Sequence, residues 1–312
     1  MTRHKIIVNP VSGRGAGERS IPLIEQSLRE HGLEFDLVRT ERPWHAAELA
    51  QQACTEGYDV VVAAGGDGTA NEVLNGLMLA KQSGKTAVMG VLCVGRGNDF
   101  AFGVGVPPGI EDGCRVLAQG HRRAIDVGRV TGGLAQRPQG RYFGNGVGIG
   151  FDAVVGFVAA KMKRLTGFAS YVVAALETMF LYYRAPLLRV EYDEQSLTLP
   201  ALMVSIMNGR RMGGGFMMGP AALSDDGLFD VCIVRQVSRP RILALIPKFM
   251  NGTQAAHPAV KTARARRITV TAIQGTLPAH GDGETLCTEG HELVMELLSH
   301  QIEIFCEQDR NS

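Results

Sequence analysis

Residues Asp59–Ala80 read DVVVAAGGDGTANEVLNGLMLA, and the fold is decided here. Val60, Val61 and Val62 form an apolar β-branched run, the composition of a buried strand. Gly65-Gly66-Asp67-Gly68-Thr69 follows, and then Val73, Leu74, Leu77 and Met78 recur at the spacing of one helix face. Strand, glycine turn and helix together make a phosphate-binding loop. Glycines let backbone N–H groups approach an anion without interference from Cβ, and the helix N-terminus adds the positive end of a dipole. Thr69 is expected to cap the helix, with Glu72 completing a capping box. Asp67 is the informative residue. A carboxylate beside bound phosphate repels it unless a cation lies between them, so Asp67 points to Mg2+ or to a proton-accepting role.

Outward from this stretch the same grammar repeats. Lys5–Val8 reads as a strand, and the loop Asn9-Pro10-Val11-Ser12-Gly13-Arg14-Gly15 leads to a helix beginning near Ala16 or Gly17. Ser12 and Gly13 can offer donors to phosphate, and Arg14 a charge. Glu34–Thr40 alternates like a strand, Trp44–Gly57 reads as a helix, and Ala87–Val94 as a buried strand ending in Gly95-Arg96-Gly97-Asn98-Asp99-Phe100. Gly109–Gly120 is a helix and Arg123–Val130 a strand. Asp126 within that strand is either paired or on a solvated face. Alternating strands and helices predict an α/β N-terminal domain built on a parallel sheet, residues 1–130. Ser83-Gly84-Lys85-Thr86 imitates a Walker A ending but precedes a strand, and Gly13, Gly15 and Gly17 do not make GxGxxG.

From about Thr131 the pattern changes. Two helices, Val154–Leu165 and Phe168–Tyr183, are followed by strand-like runs at Leu188–Tyr192, Leu197–Met207, Phe229–Val234 and Arg267–Ala272. Runs of strands separated by turns predict a mainly antiparallel β-sandwich over residues 131–298. Arg239–Gly252 reads as a helix, and His291–Cys306 as two more strands. Asn208–Pro220 is a glycine-rich connection whose Met and Phe residues either bridge a hairpin or dip into lipid. Lys261, Arg264, Arg266 and Arg267 form a basic cluster that is either solvated or suited to anionic headgroups.

The segment GGDGTANEVLNGL, with NPVSGRG before it and GRGND after it, resembles the diacylglycerol kinase catalytic-domain family: bacterial diacylglycerol kinases, YegS-like lipid kinases, and sphingosine and ceramide kinases. Phe151-Asp152-Ala153, Asp225-Asp226-Gly227-Leu228 and Asp282-Gly283-Glu284 extend the resemblance, in order, over nearly the whole chain. It implies a fold like that of NAD kinase and diacylglycerol kinase, with residues from about 299 to 312 returning to the first domain. It also implies an ATP- and Mg2+-dependent transfer to a lipid hydroxyl, most commonly that of diacylglycerol. Nucleotide contacts are then expected at Asn9, Pro10, Val11, Ser12, Gly13, Thr40, Gly65, Gly66, Asp67, Gly68, Thr69, Ala70 and Asn71, and at Arg96, where the family usually has threonine. The acid that accepts the proton is expected among Glu284, Asp282 and Asp67. A structural Mg2+ is expected on the Asp226 carboxylate and the carbonyls of Leu223 and Leu228. The alternatives are an NAD kinase-like enzyme, since GGDGT is shared with that group, and a nucleotide-binding membrane-associated module without catalysis.

Lys plus Arg number 32 and Asp plus Glu 31, so no global charge argues for nucleic acid. The six scattered cysteines form no CxxC pair, which fits free thiols in a reducing cytoplasm. The N-terminus lacks an apolar run of signal-peptide length, so the expectation is a cytoplasmic protein that visits a membrane surface transiently. A homodimer is compatible with the sequence.

Overall fold

The structure, a computed structural model, describes residues 2–95, 97–133, 140–161, 168–181 and 185–308. Arg96 and the expected helix ends at Leu165 and Tyr183 lie outside the described residues. The chain forms two compact units, Met1–Val127 with Ser299–Ser312, and Gly128–Leu298.

In the first unit the elements run β1 (Arg3–Val8), α1 (Ser12–Glu30), β2 (Glu34–Arg39), α2 (His45–Thr55), β3 (Val60–Gly65), α3 (Asp67–Gln82), β4 (Val88–Cys93), α4 (Asp99–Gly103), α5 (Ile110–Gln119) and β5 (Arg122–Thr131). Strand order is β2-β1-β3-β4, all parallel, with the last residues of the chain's final strand pairing parallel to β4 through Ile304 and Met89. Both β3 and β4 are buried at every position, which is why they read as unbroken apolar runs rather than alternations. Ile21, Ile24 and Leu28 of α1 and Cys114, Val116 and Leu117 of α5 join Ile6, Val8, Val60, Val62 and Leu92 in one core. α2 and α3 cross closely because Gly76 has no side chain: a Cβ there would sit 2.2 Å from the Ala47 carbonyl oxygen.

The second unit runs β6 (Arg141–Phe143), β7 (Gly146–Gly150), α6 (Phe151–Lys161), α7 (Phe168–Leu181), β8 (Leu187–Tyr192), β9 (Gln195–Met207), β10 (Phe229–Arg235), α8 (Arg239–Asn251), β11 (Val260–Ala265), β12 (Arg267–Gln274), β13 (Leu277–Gly281), β14 (Glu284–Gly290) and β15 (Glu292–Phe305). One antiparallel layer is β14-β13-β7-β9-β10-β11, and a second is built on β9-β8-β12-β15. Val147, Ile149, Val204, Ile206, Val231 and Ile233 from the first layer meet Leu188, Val190, Ile268, Val270, Leu293 and Met295 from the second in a sandwich core. Phe143 and Phe229 stack within it, 5.4 Å between ring centroids. The other face of the first layer is covered by α6, α7 and α8 through Phe151, Val155, Ala174, Ile242, Leu245 and Phe249.

Three expectations need correction. The helix α3 begins at Asp67 with Gly66 as its cap, so Thr69 and Glu72 do not form a capping box. Thr69 Oγ1 instead accepts from Asn9 Nδ2 at 3.0 Å, and Glu72 accepts the N–H of Ala46 at 3.1 Å, near the N-terminus of α2. His291–Cys306 is not two strands but the single strand β15, with His300 in a left-handed conformation within it (φ 50°). The Met-rich connection after β9 turns two of its methionines inward, while Phe216 and Met217 are half-buried. Met212 and Met218 are buried in the core beneath α6 and α8, where their flexible thioethers fill irregular space.

Candidate active site

At the C-terminal ends of β1, β3 and β4, three loops converge. This is where parallel α/β sheets bind ligands. After β1, Gly13, Arg14 and Gly15 take consecutive left-handed conformations (φ 58°, 61° and 82°), so regular helix starts at Ala16, as the sequence predicts. A Cβ on Gly13 would lie 2.7 Å from the Val94 carbonyl oxygen, which lets the loop close on the end of β4. Gly66 and Gly95 lie backbone to backbone: a Cβ on Gly95 would come within 2.4 Å of Gly66 Cα. Ser12 Oγ falls 3.6 Å from the corresponding point on Gly66. Pro10 belongs to the same turn, its carbonyl accepting from the Glu18 N–H at 3.2 Å, and Val11 is 76% exposed. Thr40, just past β2, donates its N–H to Val8 O at 2.9 Å and so sits beside the same strand ends.

Asp67 opens α3. Its Oδ1 accepts the N–H of Phe100 at 3.0 Å. Its Oδ2 lies 2.9 Å from the point where a Gly97 Cβ would stand, and Asp99 Oδ2 lies 3.6 Å from that same point. Two carboxylates therefore flank Gly97, beside a helix terminus whose first N–H groups have no acceptor within the helix. Gly66 alone makes the turn between Gly65, the end of β3, and Asp67 and Gly68 in the first turn of α3, whereas Thr69, Ala70 and Asn71 are buried. Asp99 was outside the expected site set, and only its place in the GRGND loop signalled it.

In the second unit the Asp-Gly-Glu turn separates into two unlike acids. Asp282 is 4% exposed and accepts three backbone N–H groups, from Gly144 at 2.7 Å, Asn145 at 3.0 Å and Gly146 at 2.9 Å. It fastens the entry to β7. Glu284 has a side chain 45% exposed, with Arg141 Nη2 at 3.9 Å, and remains open to a substrate.

Asp226 accepts the Leu228 N–H at 3.0 Å and is paired with Arg264, which also reaches Asp230 at 3.5 Å; Leu223 is exposed. Burial pushes the Asp230 carboxyl up, opposed by Arg264. Among the described residues no group of three or more His, Cys, Asp or Glu gathers as a metal site. A guanidinium here neutralises the carboxylate on which a structural Mg2+ was expected, so this donor set fits that ion poorly. The basic cluster is likewise partly consumed, since Arg267 pairs with Glu296 and Lys261 lies over the Tyr192 ring. Asp126 is fully buried and accepts the His300 N–H at 2.8 Å, which excludes the solvated-face reading.

One buried polar row went unread in the sequence. His280, Gly148, Ser205 and Cys232 are successive cross-strand partners on β13, β7, β9 and β10. Gly148 leaves the gap into which Asp152 descends from α6: Asp152 Oδ2 and His280 Nε2 each lie 2.5 Å from the point where its Cβ would stand. Ser205 Oγ donates to Asp152 Oδ2 at 2.8 Å. Burial raises the Asp152 carboxyl from 3.8 to about 7 and lowers His280 from 6.5 to about 4. The raised carboxyl favours folding below its unfolded value and loses that contribution as pH climbs through 7; the depressed imidazole contributes above 6.5 and loses it as pH falls through 4. The two slopes oppose each other between those values. Asp152→Asn is therefore expected to raise stability at pH 8, on the order of 2–4 kcal/mol at ~1.4 kcal/mol per unit. It should also make stability rise with pH between 4 and 6.5, where wild type is nearly flat. Urea unfolding across pH checks this, and a variant no more stable than wild type at pH 8 would contradict it.

Residues 3–130 match the diacylglycerol kinase catalytic domain, and residues 145–305 the YegS C-terminal NAD kinase β-sandwich-like domain. The chain is 31% identical over 283 residues to a diacylglycerol kinase of Staphylococcus aureus strain bovine RF122, covering 90% of this chain and 86% of that protein. The chain belongs to the diacylglycerol kinase family. A diacylglycerol kinase of Staphylococcus saprophyticus is 29% identical over 283 residues, covering 90% of this chain and 88% of its own length. Membership makes the chain a lipid kinase by family. Solved structures agree on the fold: a diacylglycerol kinase of Bacillus anthracis Sterne superposes with a TM-score of 0.73 at 20% identity, covering 98% of this chain and 97% of that one. An NAD kinase of Archaeoglobus fulgidus, solved with ATP, gives 0.52 at 14% identity, covering 99% and 95%. The N-terminal α/β and C-terminal β-sandwich architecture expected from the sequence is thus the family fold.

Proposed function

We propose that this chain transfers the γ-phosphoryl group of ATP to a lipid hydroxyl, with diacylglycerol as the acceptor. The observation that carries the reading is the convergence of the Asn9–Gly15, Gly65–Thr69 and Gly95–Asp99 loops, glycine against glycine, around the paired carboxylates of Asp67 and Asp99. Asn9 braces Thr69, and the first turn of α3 directs N–H groups and its dipole toward phosphate. Hard carboxylate oxygens suit Mg2+ accompanying the nucleotide, and Asp67 and Asp99 would hold it. When bound, that ion neutralises phosphate charge. Positioning and charge neutralisation supply most of the acceleration, because phosphoryl transfer asks little covalent work of the protein. Arg96 is retained as a candidate phosphate ligand, and Mg2+ at Asp226 would require Arg264 to yield its place.

Glu284 is the proposed acceptor of the hydroxyl proton, with Asp67 the competitor; Asp282, occupied by three N–H donors, is assigned to architecture. Glu284→Gln is expected to lower kcat ~100-fold or more without moving Tm, as loss of a general base does. Asp282→Ala, which strands three buried donors, should lower stability by roughly 3 kcal/mol or more. The reverse pattern would exchange the two roles. The decisive assay supplies radiolabelled ATP, Mg2+ and diacylglycerol in mixed micelles, with NAD+ in a parallel reaction. Labelled phosphatidic acid supports the reading; NADP+ alone would move the chain to the NAD kinase alternative.

As a lipid kinase the chain would work at a membrane surface. Among the described residues no helix is long and apolar enough to span a bilayer.

A further inference from the structure

Glu284 stands directly after a tight turn. Gly281 and Glu284 are cross-strand partners at the end of the β13–β14 hairpin, so Asp282 and Gly283 alone form its loop. Both take left-handed backbone (φ 48° and 83°), as a two-residue type I′ turn requires. Asp282 accepts the N–H groups of Gly144, Asn145 and Gly146, which fastens the turn to the corner between β6 and β7. The Glu284 backbone is thereby fixed. Backbone position alone does not aim a flexible side chain, and this one is 45% exposed.

The aim comes from β6. Arg141 opens that strand, just before the clasped corner, and is 7% exposed. Its Nη2 lies 3.9 Å from Glu284 Oε2. On the β5–β6 ribbon Arg141 faces Val130, while Arg129, opposite Tyr142, gives its charge to Glu296 at 2.5 Å. The two members of the Arg141–Glu284 pair are unequal: the guanidinium is held inside the unit, and the carboxylate reaches solvent. At 3.9 Å the charges attract but no hydrogen bond forms, so this contact leaves the lone pairs of Glu284 to a hydroxyl. Asp282 is in the opposite state, its oxygens filled by N–H donors.

We propose that Arg141 is the positioning residue for Glu284, a fixed buried cation that holds the carboxylate where the acceptor hydroxyl loses its proton. In that step the hydroxyl oxygen bonds to the γ-phosphorus. The bond from phosphorus to the bridging oxygen breaks, its electron pair leaves on ADP, and the proton passes to Glu284. The proposal rests on the lipid-kinase reading with Glu284 as proton acceptor, and it gives Arg141 no contact with substrate. Restricting the carboxylate to productive rotamers raises kcat, because misplacing a reacting group by about 1 Å can cost ~100-fold.

The test is a double-variant cycle on the full chain, with phosphatidic acid formed from diacylglycerol in mixed micelles as the readout and Tm measured for each variant. Arg141→Met puts an unbranched apolar chain in place of the guanidinium. It is expected to lower kcat roughly 10- to 30-fold, with the KM for diacylglycerol within about twofold of wild type. The contact acts through charge and not through a bidentate fork, so Arg141→Lys should stay within ~3-fold of wild type. In a Glu284→Gln background Arg141→Met should cost nothing further, because the group it aims is gone. Losses that multiply across the two sites overturn the proposal, as does wild-type kcat in Arg141→Met or an Arg141→Lys no better than Arg141→Met. If Arg141→Met does not fold, the cycle is read with Arg141→Lys. A small fall that vanishes in Glu284→Gln upholds the pairing, and one that persists, or no fall at all, overturns it. Wild type that phosphorylates no lipid, or Glu284→Gln with undiminished kcat, removes the underlying reading and the proposal with it. Multiplying losses in an active enzyme overturn the pairing alone.

Discussion

Asp67→Asn is expected to lower lipid phosphorylation by two to four orders of magnitude while the protein keeps its fold. Asparagine preserves the Oδ1 acceptor that Phe100 N–H uses at 3.0 Å, so the local turn survives. It removes the charge at Oδ2, the atom that faces Gly97 opposite Asp99. A group that organises charge around a transferring phosphoryl, or accepts a proton, contributes about that much to rate. The measurement is kcat in mixed micelles beside Tm and ATP affinity. Near-wild-type turnover would remove Asp67 from the mechanism, and a collapsed Tm would assign it to architecture instead.

Gly76→Ala is expected to lower stability by roughly 2–4 kcal/mol, although alanine is the better helix former. The propensity gain is at most ~1 kcal/mol. Against it, the new Cβ would lie 2.2 Å from the Ala47 carbonyl oxygen and 2.8 Å from Ala50 Cβ, and backbone must move to relieve this. Overpacking of a tight core costs about 1–3 kcal/mol and sometimes more, so the steric effect wins. Gly156 in α6 is the control: nothing lies within 4 Å of its added Cβ, so Gly156→Ala should gain up to ~1 kcal/mol. Thermal unfolding of the two variants side by side reads the contrast. Equal shifts in the same direction would mean that propensity, not the α2–α3 crossing, governs position 76.

The sequence by itself determined the architecture and the glycine turns of the loops that the proposed function gives to nucleotide. Parallel strands buried on both faces must be continuous apolar runs, so β3 and β4 announce themselves. A Cβ on Gly13 would meet the Val94 carbonyl and one on Gly95 the Gly66 backbone, so at those points the loops are spelled out in the chain as glycine. Local signals failed where a residue's partner is far away in sequence. Thr69 and Glu72 carry a capping pattern, but Asn9 and the α2 backbone offered them other bonds. Asp282 and Glu284 are two residues apart and chemically alike, yet only the tertiary structure makes one a clasp for three amides and leaves the other open. The same holds for the Arg264 pair with Asp226, the inward methionines and the Asp152–His280 row over Gly148. Each is decided by strand register and burial, which arise when the sheets assemble and which no short window of sequence contains.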